Sequence, residues 1–386
     1  MMMITRSKKN KTTVTINPQA SSYDVLPLDL VMEIIGRLPV KSIARFLLVS
    51  KLWATTIRSR DFIKSFPLGS CNSSQPRFLI ASNGRYGKER YFEWYFFSSS
   101  FLSRSSCPLP YHVYRAHYVN GLVCTGYGQE QFIVNPTTGK SIALPRVRTR
   151  RKVAISFFGY DSVSDEYKVL CMTEAQRGPN FQGPSSEHQV FTLGAKKRSW
   201  RMVECSIDHR PWSSGVCIDG FIYYCAETDK SVSQHSVMRF DLRSEKFHRI
   251  TGVPTETVLS EEAQYSYVVI LNYQGKVAIP TQTSRYTFDV WVMDQDAEEH
   301  KWLKKLTFSV EPWKSLFDFI SIQGITLMGE FILAPYGYSP HSYVVLYNHY
   351  IGKFSKIKVN GNPGCSYTRY PGGIFFSDYI ESVRFL

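Results

Sequence analysis

The chain has 386 residues, 43% hydrophobic and 20% charged, the proportions of a water-soluble globular protein with room for two domains or more. Its formal net charge of +14 brings nucleic acid, a membrane surface and acidic proteins into view as partners. Eight cysteines with no Cys-x-x-Cys and no paired Cys/His spacing of the zinc-finger type exclude a disulfide scaffold and a finger-like metal site, and the absence of any run of about 18 apolar residues excludes a membrane-spanning helix.

Residues 1–23 carry Arg6, Lys8, Lys9 and Lys11 without one acid, among Ser, Thr, Asn and Met, and read as a disordered basic tail. No apolar h-region follows these charges, so they are not a secretory signal, and an intracellular, reducing setting (nucleus or cytoplasm) is expected. Between Val25 and Ile57, 20 of 33 residues are apolar. Pro27 presets φ for a first helical turn, Asp29 faces the positive end of the helix dipole, and Pro39 stops the helix after Leu38, which bounds helix one at about residues 27–37. A second helix is expected from about Lys41 to Leu48, and Ser50 caps a third that carries Trp53 and Ile57 on one face. In helix one Leu30 and Ile34 form one stripe and Leu28, Val31 and Ile35 another. A unit of some forty residues cannot bury both, so the surplus implies a protein partner.

These residues resemble the F-box, the adaptor-binding motif of substrate receptors in SCF-type cullin ubiquitin ligases. The resemblance rests on Leu26-Pro27, Glu33-Ile34-Ile35, Arg37-Leu38-Pro39, Lys41-Ser42 and Val49-Ser50-Lys51-Leu52-Trp53. Leu48 stands where the family often has Cys. The resemblance implies that Leu26, Pro27, Leu30, Ile34, Leu38, Pro39, Val49, Ser50 and Trp53 contact the adaptor, and through it a cullin and a RING subunit. The alternative role for Trp53 is in the core of the helices, where its loss would unfold them.

Asp61-Phe62-Ile63 closes the helical unit, placed at residues 24–66, and the turn formers of residues 67–76 read as a linker. From Arg77 the texture changes to short aromatic-rich runs such as Tyr91-Phe92-Glu93-Trp94-Tyr95-Phe96-Phe97, which read as strands. A loose repeat then places an apolar run ending at Asn135, Thr192, Asp241, Asp294 and Asn348, with gaps of 57, 49, 53 and 54 residues. Each anchor is followed by a polar turn and a further strand, and preceded by a turn at Asn120-Gly121, Asp165-Glu166, Asp219-Gly220, Gln274-Gly275 or Met328-Gly329. Four strands every fifty residues or so is the shape of a kelch-like β-propeller, and residues 77–386 hold about six blades. The kelch Gly-Gly doublet occurs only at Gly372-Gly373, and a pair of packed β-sandwiches is the competing arrangement. The expected class is α+β multidomain: three N-terminal helices, then an all-β propeller.

Two segments sharpen the resemblance. Gly159-Tyr160-Asp161 with Tyr167-Lys168-Val169, and Asn135-Pro136-Thr137-Thr138-Gly139, are similar to segments of the plant F-box-associated interaction domain. Asp161 and Ser162 suit a side-chain-bonded turn, and Pro136 with Gly139 sets a tight reversal. The resemblance implies a non-catalytic receptor whose β domain binds a protein target of unknown identity.

No catalytic pattern is complete in this sequence. Gly139-Lys140-Ser141 mimics a phosphate loop, but Val134 stands where the first Gly belongs and no helix follows. Gly126-Tyr127-Gly128 reads as a turn, and neither a Gly-x-Ser-x-Gly elbow nor His-Glu-x-x-His occurs. His112 and His117 lie outside any helical pattern and read as structural. No catalytic residue, cofactor or metal is assigned. The basic clusters Arg146, Arg148, Arg150, Arg151, Lys152 and Lys196, Lys197, Arg198, Arg201 fall in expected loops, where solvated charge is the ordinary reading. Nucleic acid and membrane are therefore not the expected partners. A propeller binding a small molecule or glycan, or acting as an enzyme, is the alternative, as is a basic nucleic-acid-associated binder.

The stretch from Gly373 is surplus to the last repeat, while the first β segment is short of strands. The C-terminal strand is expected to pair with the first and close the ring, Ile380 or Phe385 packing inward, and its removal is expected to spare the helices.

Overall fold

A computed structural model of the chain describes residues 27–66, 78–86, 92–98, 101–109, 116–174, 187–228, 234–254, 269–284, 286–294, 301–311, 321–326, 328–334, 343–359, 365–367 and 373–384. The expected tail and linker, with Leu26, His112 and Phe385, lie outside these residues.

Proline and serine set the helices. Pro27 is the N-cap of α1 (Leu28–Gly36), Pro39 that of α2 (Val40–Phe46), and Ser50 that of α3 (Lys51–Ile57), where its hydroxyl accepts from the Trp53 amide at 3.2 Å. A fourth helix, α4 (Arg60–Ser65), adds to the three expected. Ser59 caps it through the Phe62 amide at 3.2 Å. Six residues are too few to display an apolar period, so the sequence suggested only a closing segment. Ile35, Val40, Ile43, Ile57 and Phe62 are buried together beneath the four helices.

The remaining strands form six sheets. Blade one holds β1 (Phe78–Tyr86), β2 (Phe92–Phe97) and β3 (Phe101–Leu109); blade two holds β4 (His117–Val119), β5 (Leu122–Tyr127), β6 (Glu130–Val134) and β7 (Ser141–Ala143). Blade three comprises β8 (Lys152–Asp161), β9 (Glu166–Glu174), β10 (Glu187–Thr192) and β11 (Arg201–Val203), and blade four β12 (His209–Ile218), β13 (Phe221–Thr228), β14 (Gln234–Asp241) and β15 (Phe247–Ile250). Blade five is β16 (Leu271–Tyr273), β17 (Lys276–Ser284), β18 (Thr287–Asp294) and β19 (Lys301–Ser309); blade six is β20 (Ser321–Ile325), β21 (Glu330–Ala334), β22 (Tyr343–Asn348) and β23 (Lys353–Lys358). Within each blade the strands are antiparallel neighbours in chain order, and the repeat anchors stand at or just past the ends of β6, β10, β14, β18 and β22. The turns before the second strands carry positive φ at both central residues of Asn120-Gly121, Asp219-Gly220 and Gln274-Gly275, the geometry that matches strand twist in a tight hairpin.

Six hydrophobic cores, one between each pair of neighbouring blades, make the assembly a closed six-bladed propeller. On β1, Phe78 and Ile80 pack against Ile332 and Leu346 of blade six, while Leu79 and Ala81 pack against Val123 and Val134 of blade two. On β9, Tyr167 and Val169 join blade two, and Leu170 and Met172 join Ile222 and Phe240 of blade four. Middle strands are thus buried on both faces, which is why they read as unbroken apolar runs rather than strict alternation. Two packed sandwiches would not place a core on both sides of every sheet.

The ring closes as expected. After β24 (Cys365–Tyr367), β25 (Gly373–Ser377) runs antiparallel to β1 with Ile80 opposite Phe375. Beyond it the tail departs from the expectation. Ile380 is only half-buried; Tyr379, Ser382 and Val383 are the buried residues, and Val383 enters the core of the helices.

Candidate functional site

The helices leave a greasy face in water. Leu28, Leu30, Ile34, Leu48, Val49 and Leu52 are between 44% and 89% exposed. Leu30 and Ile34 lie one turn apart on α1, and the other three C-terminal residues surround the α2–α3 connection. Such exposure of large apolar groups on a unit that has its own packed core marks an interaction surface. Of the residues implied by the resemblance, Pro27, Leu30, Ile34, Pro39, Val49 and Ser50 are exposed, and Leu38 is half-buried against the core. Trp53 is half-buried too, stacked on Phe46 at 4.9 Å between ring centroids, so it supports the face from beneath. Leu28, Leu48 and Leu52 were not among the expected contacts, and a second apolar stripe that no core can absorb was the sequence signal for Leu28.

This face is fixed to the propeller through the C-terminal tail. Asn135 is fully buried; its Nδ2 donates to the carbonyls of Ser382 at 2.9 Å and Arg384 at 2.8 Å, and its Oδ1 accepts from the Thr137 amide at 2.8 Å. The Thr137 hydroxyl meets Tyr379 Oη at 2.8 Å. Gly121 has φ +81°, and a Cβ there would sit 2.6 Å from Ser382 Cβ, so only glycine lets the tail pass. The Glu381 carboxylate in turn accepts from the Val40 amide at 2.8 Å, capping α2.

Asp165 completes the junction. Its carboxylate accepts from Tyr160 Oη at 2.8 Å, from Arg60 Nε at 3.0 Å and from the Arg384 guanidinium at 3.1 Å, with Lys64 Nζ 3.9 Å away. Burial acts to raise its pKa, but the Tyr160 and Arg60 hydrogen bonds and the charges of Arg384 and Lys64 outweigh it and hold the carboxyl below its ordinary 3.8. A depressed carboxyl stabilises the folded junction above its unfolded pKa, and that contribution is lost as pH falls below about 4 towards the folded value. Wild-type helices should therefore lose protection from proteolysis as pH drops through that window. Asp165→Asn, which removes about 2 kcal/mol of charge-assisted bonding, should already show the weakened protection at neutral pH and respond little to acid. Equal protection of both proteins at pH 7 would refute the clamp.

The paired segments singled out in the sequence are structural. Asp161 accepts from the amides of Val163 and Ser164 and pairs with Arg243 of blade four at 3.2 Å; Arg243, Ser164 and these amides keep its carboxyl ionised against the opposing effect of burial. Lys168, buried, donates to the Leu242 carbonyl at 2.6 Å and to Glu245 at 2.8 Å. Gly139, at φ +75°, turns the chain against the Arg104 carbonyl, so the phosphate-loop mimic is a β6–β7 reversal. Arg151 is tied to Glu187 at 3.1 Å and Arg201 to Glu245, whereas Arg146, Arg148, Arg150, Lys196, Lys197 and Arg198 are exposed. His117 is buried with its ring 5.2 Å from Phe157, a packing role.

One cluster escaped the sequence. His188, Cys205 and His209 place donor atoms within 4.8 Å of one another. The Cys205 and His209 pair does not make a nucleophile: burial raises the Cys205 thiol above its ordinary value, and it donates to the Ile207 carbonyl at 3.4 Å. Cys124, Cys171, Cys205, Cys217 and Cys225 are free thiols.

Comparison with known proteins accords with this arrangement. Residues 24–65 match the F-box domain family, and residues 79–380 match the F-box associated beta propeller domain family. An Arabidopsis thaliana relative named F-box protein At5g15660 is 50% identical, covering 97% of this chain and 86% of its own. F-box protein At4g11590 of the same plant is 46% identical over 95% and 94%, and F-box protein DOR is 32% identical over 96% and 97%. The chain belongs to the F-box proteins that carry an F-box associated beta propeller domain.

Proposed function

We propose that this protein is the substrate-receptor subunit of an SCF-type ubiquitin ligase working in the nucleus or cytoplasm. Residues 24–66 dock on a Skp1-type adaptor, and through it on a cullin and a RING subunit, while residues 77–386 hold a protein target. The observation that carries this reading is the exposed apolar face of Leu28, Leu30, Ile34, Leu48, Val49 and Leu52 on helices that already possess a core. Chemistry by the chain itself is not required. A receptor accelerates transfer by raising the local concentration of a target lysine near the charged conjugating enzyme. Such a device works best when adaptor and target are held at a fixed distance; the Asp165 bond to Arg60 joins propeller and helices directly, and the C-terminal tail joins them through Asn135 on one side and the Val40 amide on the other.

Reconstitution tests the reading. The full chain mixed with adaptor, cullin and RING subunit should elute as one stoichiometric complex, and with conjugating enzyme, ubiquitin and a cell extract it should modify co-captured protein only when the adaptor is present. Failure to form the adaptor complex at micromolar concentrations would overturn it.

A further inference from the structure

We propose that His188, Cys205 and His209, with the carbonyl oxygen of Ile207, form a zinc site that ties blade three to blade four. The three side chains come from three places: His188 from β10, Cys205 from the link leaving β11, and His209 from the first residue of β12. Cys205 Sγ lies 3.9 Å from His209 Nδ1, and the Ile207 oxygen lies 2.9 Å from that nitrogen and 3.4 Å from that sulfur. Donors around a tetrahedral zinc with bonds of ~2.0–2.3 Å stand about 3.4–3.6 Å apart, and the three side-chain donors already lie within 4.8 Å of one another.

His188 supplies the second observation. It is 5% exposed, and its Nε2 has no hydrogen-bond partner among the described residues. Buried ring nitrogens are normally satisfied, and an unpaired one beside a thiol and a second imidazole calls for a ligand. The ring is held in place, stacked on His209 at 5.2 Å and edge-on to Phe247 at 5.0 Å.

The surroundings fit a metal ligand. Tyr224 Oη stands 2.9 Å from His209 Nε2; with metal on Nδ1 the single ring proton would move to Nε2 and donate to that oxygen, which would fix the tautomer. The Ile207 carbonyl accepts from both Cys205 and His209, gathering the donors that zinc would gather. On binding, the Cys205 proton leaves to solvent and the thiolate takes its place on the metal. Cys205 is half-exposed between Glu204 and Ser206, both at the surface, which gives the ion a way in. A thiolate with two imidazoles selects zinc over magnesium or calcium.

The full chain, stripped with chelator and titrated with cobalt(II), should take up one tightly held ion per chain and show a thiolate charge-transfer band together with tetrahedral visible bands. Cys205→Ser should lose the charge-transfer band, and His188→Gln should weaken binding at least tenfold, both variants keeping the wild-type circular dichroism. Zinc should raise the wild-type thermal midpoint by at least about 3 °C and leave that of Cys205→Ser unmoved. Absence of tight binding, or equal spectra and midpoint shifts in wild type and Cys205→Ser, would overturn the site. Adaptor binding by the helices is read separately, so this test stands apart from the receptor reading.

Discussion

Ile34→Asp combined with Leu52→Asp is expected to abolish adaptor capture while leaving the melting of the protein almost unchanged. Both side chains are more than half exposed, at 53% and 64%, and lie on helices whose packing does not depend on them. Surface changes of that kind move stability by about 0.5 kcal/mol or less. At an interface, truncating a buried apolar anchor costs about 2 kcal/mol or more, and here each loss is compounded by an unpaired carboxylate that the complex would have to desolvate. Together they should weaken binding by at least about 4 kcal/mol, or roughly a thousandfold. Ile35→Asp is the control. Ile35 is adjacent in sequence but fully buried, and its replacement should unfold the helices instead. Undiminished capture of immobilised adaptor by the Ile34/Leu52 double variant would place the docking surface elsewhere.

The second large effect concerns the C-terminus, and it separates two jobs done by fourteen residues. Deleting residues 380–386 should leave β25 paired with β1, Tyr379 in the core between blades one and two and the ring closed, yet loosen the helices. It removes Val383 from their core, the Glu381 cap from the Val40 amide and both acceptors of the buried Asn135 amide. One buried aliphatic side chain and the orphaned polar groups together amount to at least about 4 kcal/mol. Deleting residues 373–386 should add the loss of β25. That exposes the edge of β1 and takes Phe375 from the core between blades six and one, so the propeller should aggregate or unfold. Removal of this stretch was expected from the sequence to spare the helices; with Val383 and Glu381 in place, it should damage both units. Calorimetry of the two truncations decides the matter, and an unchanged melting profile for the shorter deletion would refute the strut.

Much of this protein was written locally. Pro27, Pro39 and Ser50 act on their own or the next few backbone groups, so the first three helices could be read without knowing what they pack against. The propeller was legible for a similar reason. Each repeat brings its own turn residues, with Asn120-Gly121, Asp219-Gly220 and Gln274-Gly275 needing only their own φ angles, and the period of those turns counts blades. Even the closing strand followed from arithmetic, since a ring with a short first blade must borrow from its other end.

Contacts between distant segments were not legible. The sequence shows that helix one has more apolar surface than a small core can hold, but only the packed structure separates Ile34, left in water, from Ile35, fully buried beside it. Val383 in the helical core, Asp165 between Arg60 and Arg384, and His188 beside Cys205 and His209 join residues whose partners are set by how blades and helices stack. Local backbone preference decides which element a residue occupies, because its energy resides in neighbouring groups along the chain. Which side chains meet across the chain is decided by closing the ring and burying both faces of its sheets, an energy that no short stretch of sequence contains.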